Sequence, residues 1–336
     1  MMKRLPLLAL LFTATFAVDA AEPKRVVVCT VTAGFRHSSI AEAEKTLQKL
    51  ADETKAFTIV DFLRQPEVPV PRKPSPPKPL APEADAKAKA RYEQDVKKFD
   101  EAMAKWTPDV DAAAKAAQAE LDRQMRAVLA KLAPDFLTAQ KIDGVIFANT
   151  TGDLPLPDKD GFIRWIEAGH AFMGMHSAGD TLHSGGKPPF LGYVQMLQGE
   201  FIGHKAQVPA DLVAGDTAHP ANAGIGAKWD IQMEEMYRFK EHDRSKLRAL
   251  WFLRHDPNEP AVAGYFPVSW CRDAGKGRVF YTSLGHREDL WNDDPAFKDR
   301  KNTVETSKRF QAHILGGIQW ALGLADGSAA PNPEVK

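Results

Sequence analysis

The stretch from Phe172 to Asp180 constrains the fold of this chain most strongly. An apolar run, Ala171 to Met175, stops there at a polar turn that contains three small residues, Gly174, Ala178 and Gly179. A buried parallel strand ends in this way when its last side chain is lifted into a cleft, because small residues let the backbone crowd the neighbouring strand. The lifted side chain is His176, with Ser177 beside it, at a position where hydrolases with this turn usually have serine or cysteine.

The N-terminal half begins with the pattern of a βαβ unit. Arg25 to Val31 is a β-branched run typical of a strand covered on both faces. Ser39 and Glu42 have the spacing of a capping box before a helix that starts near Ile40, and Phe57 to Phe62 is the next predicted strand. This order predicts an α/β fold with a parallel sheet and right-handed crossovers.

The rest of the chain continues this pattern and then changes it. Further buried strands are predicted at 143–149 and 171–175, with a helix from about residue 160 between them, and a short helix at 189–197. Strand signals continue beyond them at 208–213, 229–239, 250–253, 262–270 and 278–282, and several of these segments alternate with period two, which predicts antiparallel strands. A last helix, with Asn302 and Glu305 as its predicted capping box, ends at Gly323.

Composition and the N-terminus limit the class of protein. The 336 residues carry no formal net charge, which argues against a general nucleic-acid binder. Residues 1–20 have the positive start, apolar core and small-residue cleavage pattern of a signal peptide, which predicts a periplasmic or secreted protein with no later membrane span. Cys29 lies inside an apolar run, so we expect it and Cys271 to be free thiols rather than a disulfide.

An insertion interrupts the α/β pattern at residues 65–131. Its first part, Gln65 to Pro82, contains eight prolines, which favours an extended connector. The remainder is rich in Ala and charged residues, which indicates solvated helices, with a bend predicted near Trp106–Pro108. We therefore expect one domain over 21–325 with a structural insertion, followed by a tail at 326–336.

Polar loops that follow the predicted strands should converge at one edge of the sheet, where ligands bind in open parallel sheets. These loops contain His37, His176, His183 and His286, while His204, Glu235 and Tyr237 come from neighbouring segments. His176, Asp180 and His183 are alternatively predicted to form a metal site, because zinc takes nitrogen and oxygen ligands. A Ser177 nucleophile is a weaker alternative, whose base would have to be His286.

Five segments together make the chain resemble the ThuA-like, or trehalose utilisation, family. They are Thr32–His37, Gly174–Ala178, Gly199–His204, Glu235–Tyr237 and Gly285–Asp289. The resemblance implies a flavodoxin-like sheet of the class I glutamine amidotransferase type, with antiparallel additions and a helical insertion. It also implies a carbohydrate substrate and a role in sugar metabolism.

The comparison with glutamine amidotransferases also shows a departure. In those enzymes the elbow reads Gly-x-Cys-x-Gly and a later His-x-Glu completes the catalytic triad. This chain keeps the second element as His286-Arg-Glu288, but His176 replaces the cysteine. Without a thiolate no thioester can form, so glutaminase chemistry is not expected.

The sequence thus leads to three hypotheses, of which the lowest-ranked is an interaction protein that works through the Pro-rich arm. In the first, an exported protein acts on a sugar or oxidised sugar derivative, by histidine acid/base chemistry or with zinc or another divalent metal. His176, His286 and Glu288 are its predicted catalytic residues, with Glu288 orienting His286. The predicted substrate-binding residues are His37, Ser177, His204, Glu235 and Tyr237. In the second, the same fold is a non-catalytic carbohydrate-binding module.

Overall fold

The structure, a computed structural model, describes residues 22–183 and 188–335, so the expected signal peptide lies outside the described residues. None of the helices in these ranges combines the length and apolar composition that a bilayer crossing requires. The strands are β1 Lys24–Cys29, β2 Phe57–Leu63, β3 Gly144–Ala148, β4 Ala171–Met175, β5 Glu200–His204, β6 Val208–Ala214, β7 Lys228–Glu234, β8 Tyr237–Lys240, β9 Arg248–Asp256, β10 Glu259–Ala274 and β11 Gly277–Thr282. The helices are α1 Ile40–Thr54, α2 Ala86–Ala104, α3 Pro108–Leu129, α4 Pro134–Ala139, α5 Lys159–Glu167, α6 Leu191–Leu197, α7 Glu288–Trp291 and α8 Val304–Ala321.

One large sheet combines a parallel and an antiparallel half. Its strand order is β2-β1-β3-β4-β11-β10-β9-β6-β7, and the pairs from β2 to β11 are parallel while those from β11 to β7 are antiparallel. The parallel half has the flavodoxin order, in which the direction of winding reverses between β1 and β3. The predicted fold class is therefore confirmed. Ligands bind in such sheets beyond the carboxyl ends of the strands at this reversal.

Two layers of helices bury the sheet. Helices α1 and α8 pack their apolar stripes on one face, with Leu47 and Phe310 among the buried residues. Helices α5 and α6, with the end of α3, cover the other face through Phe162, Tyr193 and Leu129. Strands β3 and β4 are buried along their whole length because both faces are covered, which is why their sequences are continuous apolar runs.

The insertion forms two helices, α2 and α3, which meet at the predicted bend. Helix α2 buries none of its residues, whereas α3 buries Met125 and Leu129 against the sheet domain. Thr107 caps α3 by accepting a hydrogen bond from the N–H of Val110, and Pro108 occupies the first turn, where no N–H is needed. The end of α3 is thus part of the core, and α2 is an outer layer.

Both predicted capping boxes are wrong. Ser39 has helical backbone angles, and its hydroxyl donates to the carbonyl of Gly285 instead of capping α1. Thr303, not Asn302, caps α8, because the side chain of Asn302 bonds the backbone of Met233 on strand β7. In each case a tertiary hydrogen bond between distant segments outcompetes the local cap.

The predicted strand 229–239 is in fact two strands in different sheets. Strand β7 ends the large sheet at Glu234, and β8 begins at Tyr237 and pairs with β5 in a separate two-stranded sheet. Glu235 and Met236 form the break between them. This break turns Glu235 towards the carboxyl ends of the parallel strands, which periodicity alone could not indicate.

The C-terminal segment packs against the antiparallel half of the large sheet. Asn332 is buried and bonds both the N–H and the carbonyl of Ala249 on β9. The Arg244 side chain donates to the carbonyls of Pro333 and Val335. The predicted tail is therefore held along the sheet as far as residue 335.

We expect the free energy of unfolding to fall as the pH decreases below about 6.5. His313 is fully buried, with Nδ1 donating to the Ala221 carbonyl at 2.8 Å and Nε2 3.0 Å from Ser269 Oγ, and burial lowers its pKa to about 3. Because the unfolded histidine has the higher pKa, its contribution to stability is complete above pH 6.5 and is lost as the pH falls towards 3. One such group changes stability by up to about 1.4 kcal/mol per pH unit.

Urea unfolding at pH 6.5, 5.5 and 4.5 tests this expectation. His219 and His242 also have pKa values lowered to about 4 by burial, so the total slope has several contributions. A His313→Gln variant should be less stable at pH 6.5 but should show a smaller loss between pH 6.5 and 4.5. Parallel pH profiles for the variant and the wild type would contradict the assignment.

Candidate functional site

Four loops or strand breaks bring three histidines and a glutamate together at the carboxyl edge of the sheet. His37 follows β1, His176 follows β4, His286 follows β11, and Glu235 lies in the break between β7 and β8. One potential ligand atom from each residue lies within 4.8 Å of all the others. The flavodoxin-like winding explains the convergence, because the ends of β1, β4 and β11 meet at the same edge.

His176 occupies a strained turn, as the small residues around it predict. Its φ of 49° is left-handed, a conformation that costs a non-glycine residue roughly 1–2 kcal/mol. The side chain is fully buried. A Cβ at Gly179 would lie 2.6 Å from the Tyr281 hydroxyl, which itself donates to the His176 carbonyl at 2.7 Å. The tight turn therefore needs glycine at 179, and it raises the imidazole of His176 into the cleft.

The hydrogen bonds of His176 determine which nitrogen faces the cluster. Nδ1 lies 2.8 Å from the carbonyl of Ser283, which can only accept, so Nδ1 carries the proton. Nε2 therefore carries a lone pair and no proton. It lies 3.0 Å from the Tyr237 hydroxyl and 3.2 Å from Nε2 of His37. The lone pair of His176 thus points into the centre of the cluster.

The ring of His37 is also oriented by a contact at Nδ1, the nitrogen that faces away from the cluster. Its Nδ1 lies 3.2 Å from Ser177 Oγ, which leaves Nε2 facing His176. The predicted pairing of Ser177 with a His286 base is therefore not present, because the histidine that Ser177 contacts is His37. Burial lowers the pKa of His37 to about 4, with a further contribution from His286, which makes it a poor general base for the hydroxyl.

Glu235 connects the remaining histidines. Its Oε1 lies 2.9 Å from Nδ1 of His204, and its Oε2 lies 3.2 Å from Nδ1 of His286 and 3.7 Å from Nε2 of His176. Nδ1 of His286 is buried and has no aligned hydrogen-bond partner among the described residues. Its contact with Glu235 is therefore an ion-pair contact, and a metal ion between the two atoms would be a partner for both.

Glu234, next to Glu235, positions the His286 loop. Its buried carboxylate accepts hydrogen bonds from the backbone N–H of His286 at 2.8 Å and of Arg287 at 3.3 Å. Burial raises its pKa to about 7, although these bonds and the charge of His286 oppose the shift. Glu234 therefore fixes the backbone of the His286 loop, whereas Glu235 faces the cleft.

The electrostatics keep two of the imidazoles neutral. Burial lowers the pKa of His176 well below its ordinary value, and the charges of His37 and His286 lower it further. For His286, burial also lowers the pKa, but contact with Glu235 and the charge of Glu234 outweigh it, so its pKa is raised. His37 and His176 thus offer lone pairs at neutral pH, as metal ligation requires.

Two of the distances within the cluster match those between ligands of one divalent transition metal. Zinc binds histidine nitrogen and carboxylate oxygen at about 2.0–2.2 Å, so two ligand atoms on one ion lie roughly 3–3.6 Å apart. The separations between His37 and His176, and between Glu235 and His286, are both 3.2 Å. Three nitrogens and one carboxylate also form a borderline-soft donor set that suits zinc better than calcium or magnesium.

A second carboxylate faces the same cleft from another wall. Asp180 lines the pocket, and its Oδ1 lies 3.1 Å from Nδ1 of His183, whose Nε2 is 3.7 Å from buried Glu200. Burial raises the pKa of Asp180, although the charge of His183 partly offsets this. His183 therefore contacts the carboxylates of Asp180 and Glu200 and does not join a His176–Asp180–His183 metal site.

The pocket itself is small and partly aromatic, with a volume of about 180 Å³. Of the predicted residues, His37, Ser177, His204, Glu235, Tyr237 and His286 line it, and His176 is buried directly behind them. Glu288 begins α7 and affects His286 through its charge, but within the described residues no hydrogen bond or ion pair joins the two. Phe35, Thr151 and Phe201 line the pocket and were not predicted.

Comparison with known proteins shows the family of the chain. A family model described as ThuA, trehalose utilisation, matches residues 96–321. Two solved structures titled as ThuA-like proteins, from Bacteroides uniformis and Parabacteroides merdae, each share 15% identity with this chain at a TM-score of 0.54. The alignments cover 92% of this chain and 95% of the first protein, and 93% of this chain and 98% of the second. No curated protein matches the chain. At this identity the likeness of the structures establishes the fold.

Proposed function

Because the chain belongs to the ThuA, or trehalose utilisation, family, we propose that it binds a divalent transition metal and uses it to act on a sugar or oxidised sugar. The convergence of His37, His176, His286 and Glu235 carries this proposal. Zinc is the ion that the donor set fits best. His204, Ser177 and the Ser283 carbonyl hold the outer atoms of these groups, as residues around metal ligands do.

A bound divalent cation supplies a Lewis acid that polarises a carbonyl or hydroxyl oxygen of a substrate. The chain itself supplies a proton acceptor and donor on the opposite wall, the carboxyl group of Asp180. His183 keeps this group oriented through its 3.1 Å contact. Tyr237, whose hydroxyl lies in the cleft, is a hydrogen-bond donor for a sugar hydroxyl.

Glutaminase chemistry is not part of the proposal, because it needs a thiolate. Both cysteines are free and buried, Cys29 in β1 and Cys271 in β10, and neither lines the pocket. Burial raises the pKa of the Cys29 thiol to about 12 and that of Cys271 further. At neutral pH both are therefore inert thiols.

We also propose that the protein is exported. The support for this is the signal-peptide pattern of residues 1–20 in the sequence.

The proposal is tested by elemental analysis of mature protein purified without chelators. We expect close to one zinc or other transition-metal ion per chain in the wild type and none in a His176→Ala, His286→Ala double variant. A His255→Ala variant is the control, because that side chain is exposed and lies outside the cluster. Wild-type protein that contains no metal and takes up no added zinc would overturn the metal site and leave histidine acid/base catalysis or plain carbohydrate binding as the remaining functions.

A further inference from the structure

A second cleft, with a volume of about 420 Å³, lies between the sheet domain and the insertion. It is lined by the loop after β1, the Pro-rich connector, α3 and the loop after β3. Its volume is within the range of about 300–1,000 Å³ that is typical of small-molecule sites. No described residue lines both this cleft and the pocket of the histidine cluster, so the second cleft is a separate candidate site.

Three arginines line the second cleft, each from a different segment. Arg36 comes from the loop after β1, Arg72 from the Pro-rich connector and Arg126 from α3. Arginine stays charged throughout the physiological pH range and presents five N–H donors in a planar fork, which matches the oxygens of a carboxylate or a phosphate. Three guanidinium groups around one cleft therefore favour an anion with more than one negative charge.

These arginines are not neutralised within the described part of the chain. No hydrogen bond or ion pair there involves the side chain of Arg72 or Arg126. Arg36 donates to a backbone carbonyl, that of Thr30, at 2.9 Å. Burial lowers the pKa of Arg36 and the charge of Glu44 only partly offsets this, as expected of a cation without a close counter-ion. All three guanidinium groups thus have N–H donors left for a ligand.

The two carboxylates in the second cleft do not cancel this positive charge. Asp153 forms an ion pair with Lys159, which lies outside the cleft. Asp122 accepts a hydrogen bond from Gln118 Nε2 at 2.7 Å and takes part in no ion pair among the described residues. The lining therefore has an excess of positive charge, although the chain as a whole has no formal net charge.

The Pro-rich connector restricts the position of Arg72. Pro71 directly precedes this residue and Pro74 follows two residues later. Proline fixes its own φ near −65° and also restricts the residue before it, which reduces the entropy lost when a ligand binds. Gln65 is oriented as well, because its Oε1 accepts from the N–H of Thr32 at 2.9 Å, and no described residue accepts from its Nε2. The connector therefore presents oriented donors at the cleft.

Helix α3 adds an apolar surface beside its arginine. Leu121 and Met125 are one turn apart and both line the second cleft. Met125 is buried and, with Leu129, attaches this end of α3 to the sheet domain, which fixes the backbone of the adjacent Arg126. Apolar and cationic side chains in one cleft suit a ligand in which a short carbon body joins the anionic groups.

From these observations we propose that the second cleft binds a small organic anion with at least two negative charges, whose carboxylate or phosphate groups pair with Arg72 and Arg126. This inference goes beyond the proposed function and depends neither on a metal ion nor on a sugar substrate. It gives the insertion a binding role in addition to its structural one.

Calorimetric titration of the mature protein at low ionic strength tests this site. The probes are succinate, a dicarboxylate, and glycerol 3-phosphate, a phosphate monoester. We expect at least one of them to bind about tenfold or more tightly than acetate, because a second charge engages a second arginine. An Arg72→Ala, Arg126→Ala double variant should lose about tenfold or more of this affinity. Arg123→Ala is the matched control, because Arg123 lies on the same helix but pairs with Glu120 and does not line the cleft.

A second titration separates this site from the proposed metal site. Both dianions are also metal ligands, so the measurement is repeated with the His176→Ala, His286→Ala double variant, which should bind them with the affinity of the wild type. Loss of binding in this variant would overturn the second site, because the dianion would then depend on the histidine cluster. A wild type without zinc that still binds the dianion through its arginines would overturn the proposed metal and support the second site.

The remaining outcomes decide whether the cleft binds dianions and which group it recognises. Wild-type protein that binds neither dianion, or that binds acetate equally well, would overturn the proposal. Unchanged affinity in the Arg72→Ala, Arg126→Ala variant would overturn it too. Binding of succinate alone would support the site and identify carboxylate as the recognised group, and binding of glycerol 3-phosphate alone would identify phosphate.

Discussion

Replacing Glu235 with alanine is expected to weaken zinc binding at least about 100-fold, because it removes the only carboxylate ligand and leaves three nitrogens. The same change leaves His204 and His286 without their shared anionic partner. The dissociation constant can be measured by competition with a chromophoric zinc chelator at pH 7.5. The fold should persist, since Glu235 lies in the break between two strands and not in a sheet.

Variants around Glu235 should form a graded series. His204→Ala is expected to cost about tenfold to 100-fold in zinc affinity, the usual effect of losing a group that orients a ligand. Its ring contacts Oε1 of Glu235, while Oε2 faces the cluster. Asp180→Asn should leave zinc affinity unchanged, because its partner is His183. Equal losses in all three variants would indicate general unfolding, and a Glu235→Ala variant that binds zinc normally would contradict the proposed ligand set.

The strongest sequence signals came from the parallel half of the sheet. The strand 171–175 was predicted at its observed ends, and the small residues after it correctly indicated the raised His176. Both follow from backbone requirements, since a buried parallel strand must be apolar throughout and a crowded turn must be small. Predictions of this kind depend only on residues that are adjacent along the chain, so the sequence alone is sufficient to make them.

The partner of His286 was harder to predict. The His-x-Glu spacing suggested Glu288, but the carboxylate nearest to Nδ1 of His286 belongs to Glu235, which lies about fifty residues earlier in the chain. Glu235 reaches the site because β7 stops and β8 starts in another sheet. That break is accompanied by tertiary bonds, such as the one that the His286 N–H donates to the Glu234 carboxylate. Periodicity carries no signal for contacts of this kind.

Phe35 was missed for a different reason. An aromatic residue in a polar loop is ordinarily assigned to packing, and the sequence does not reveal whether it is buried. Its position matters only because Thr151, from the loop after β3, holds the Phe35 carbonyl. A second cleft, lined by Thr32, Ala33, Gly34 and Arg36, likewise forms only because α3 of the insertion lies beside this loop.

Helix α8 depends on glycine at one position for its approach to the sheet domain. A Cβ built on Gly316 would lie 2.1 Å from the carbonyl oxygen of Pro220 and 2.9 Å from Cα of Ala221. Both obstacles are backbone atoms, which cannot rotate away as a side chain can. The same close approach allows His313, one turn earlier, to donate to the Ala221 carbonyl.

A Gly316→Ala variant is therefore expected to lose about 2 kcal/mol or more of unfolding free energy, even though alanine favours helix by about 1 kcal/mol. Urea unfolding at pH 7.5 measures this loss, and thermal unfolding should show a Tm lowered by roughly 3 °C or more. Lys308→Ala, at an exposed position of the same helix, should change stability by less than about 0.5 kcal/mol. A Gly316→Ala variant more stable than the wild type would mean that α8 lies further from residues 220–222, because only the gain in helix propensity would then remain.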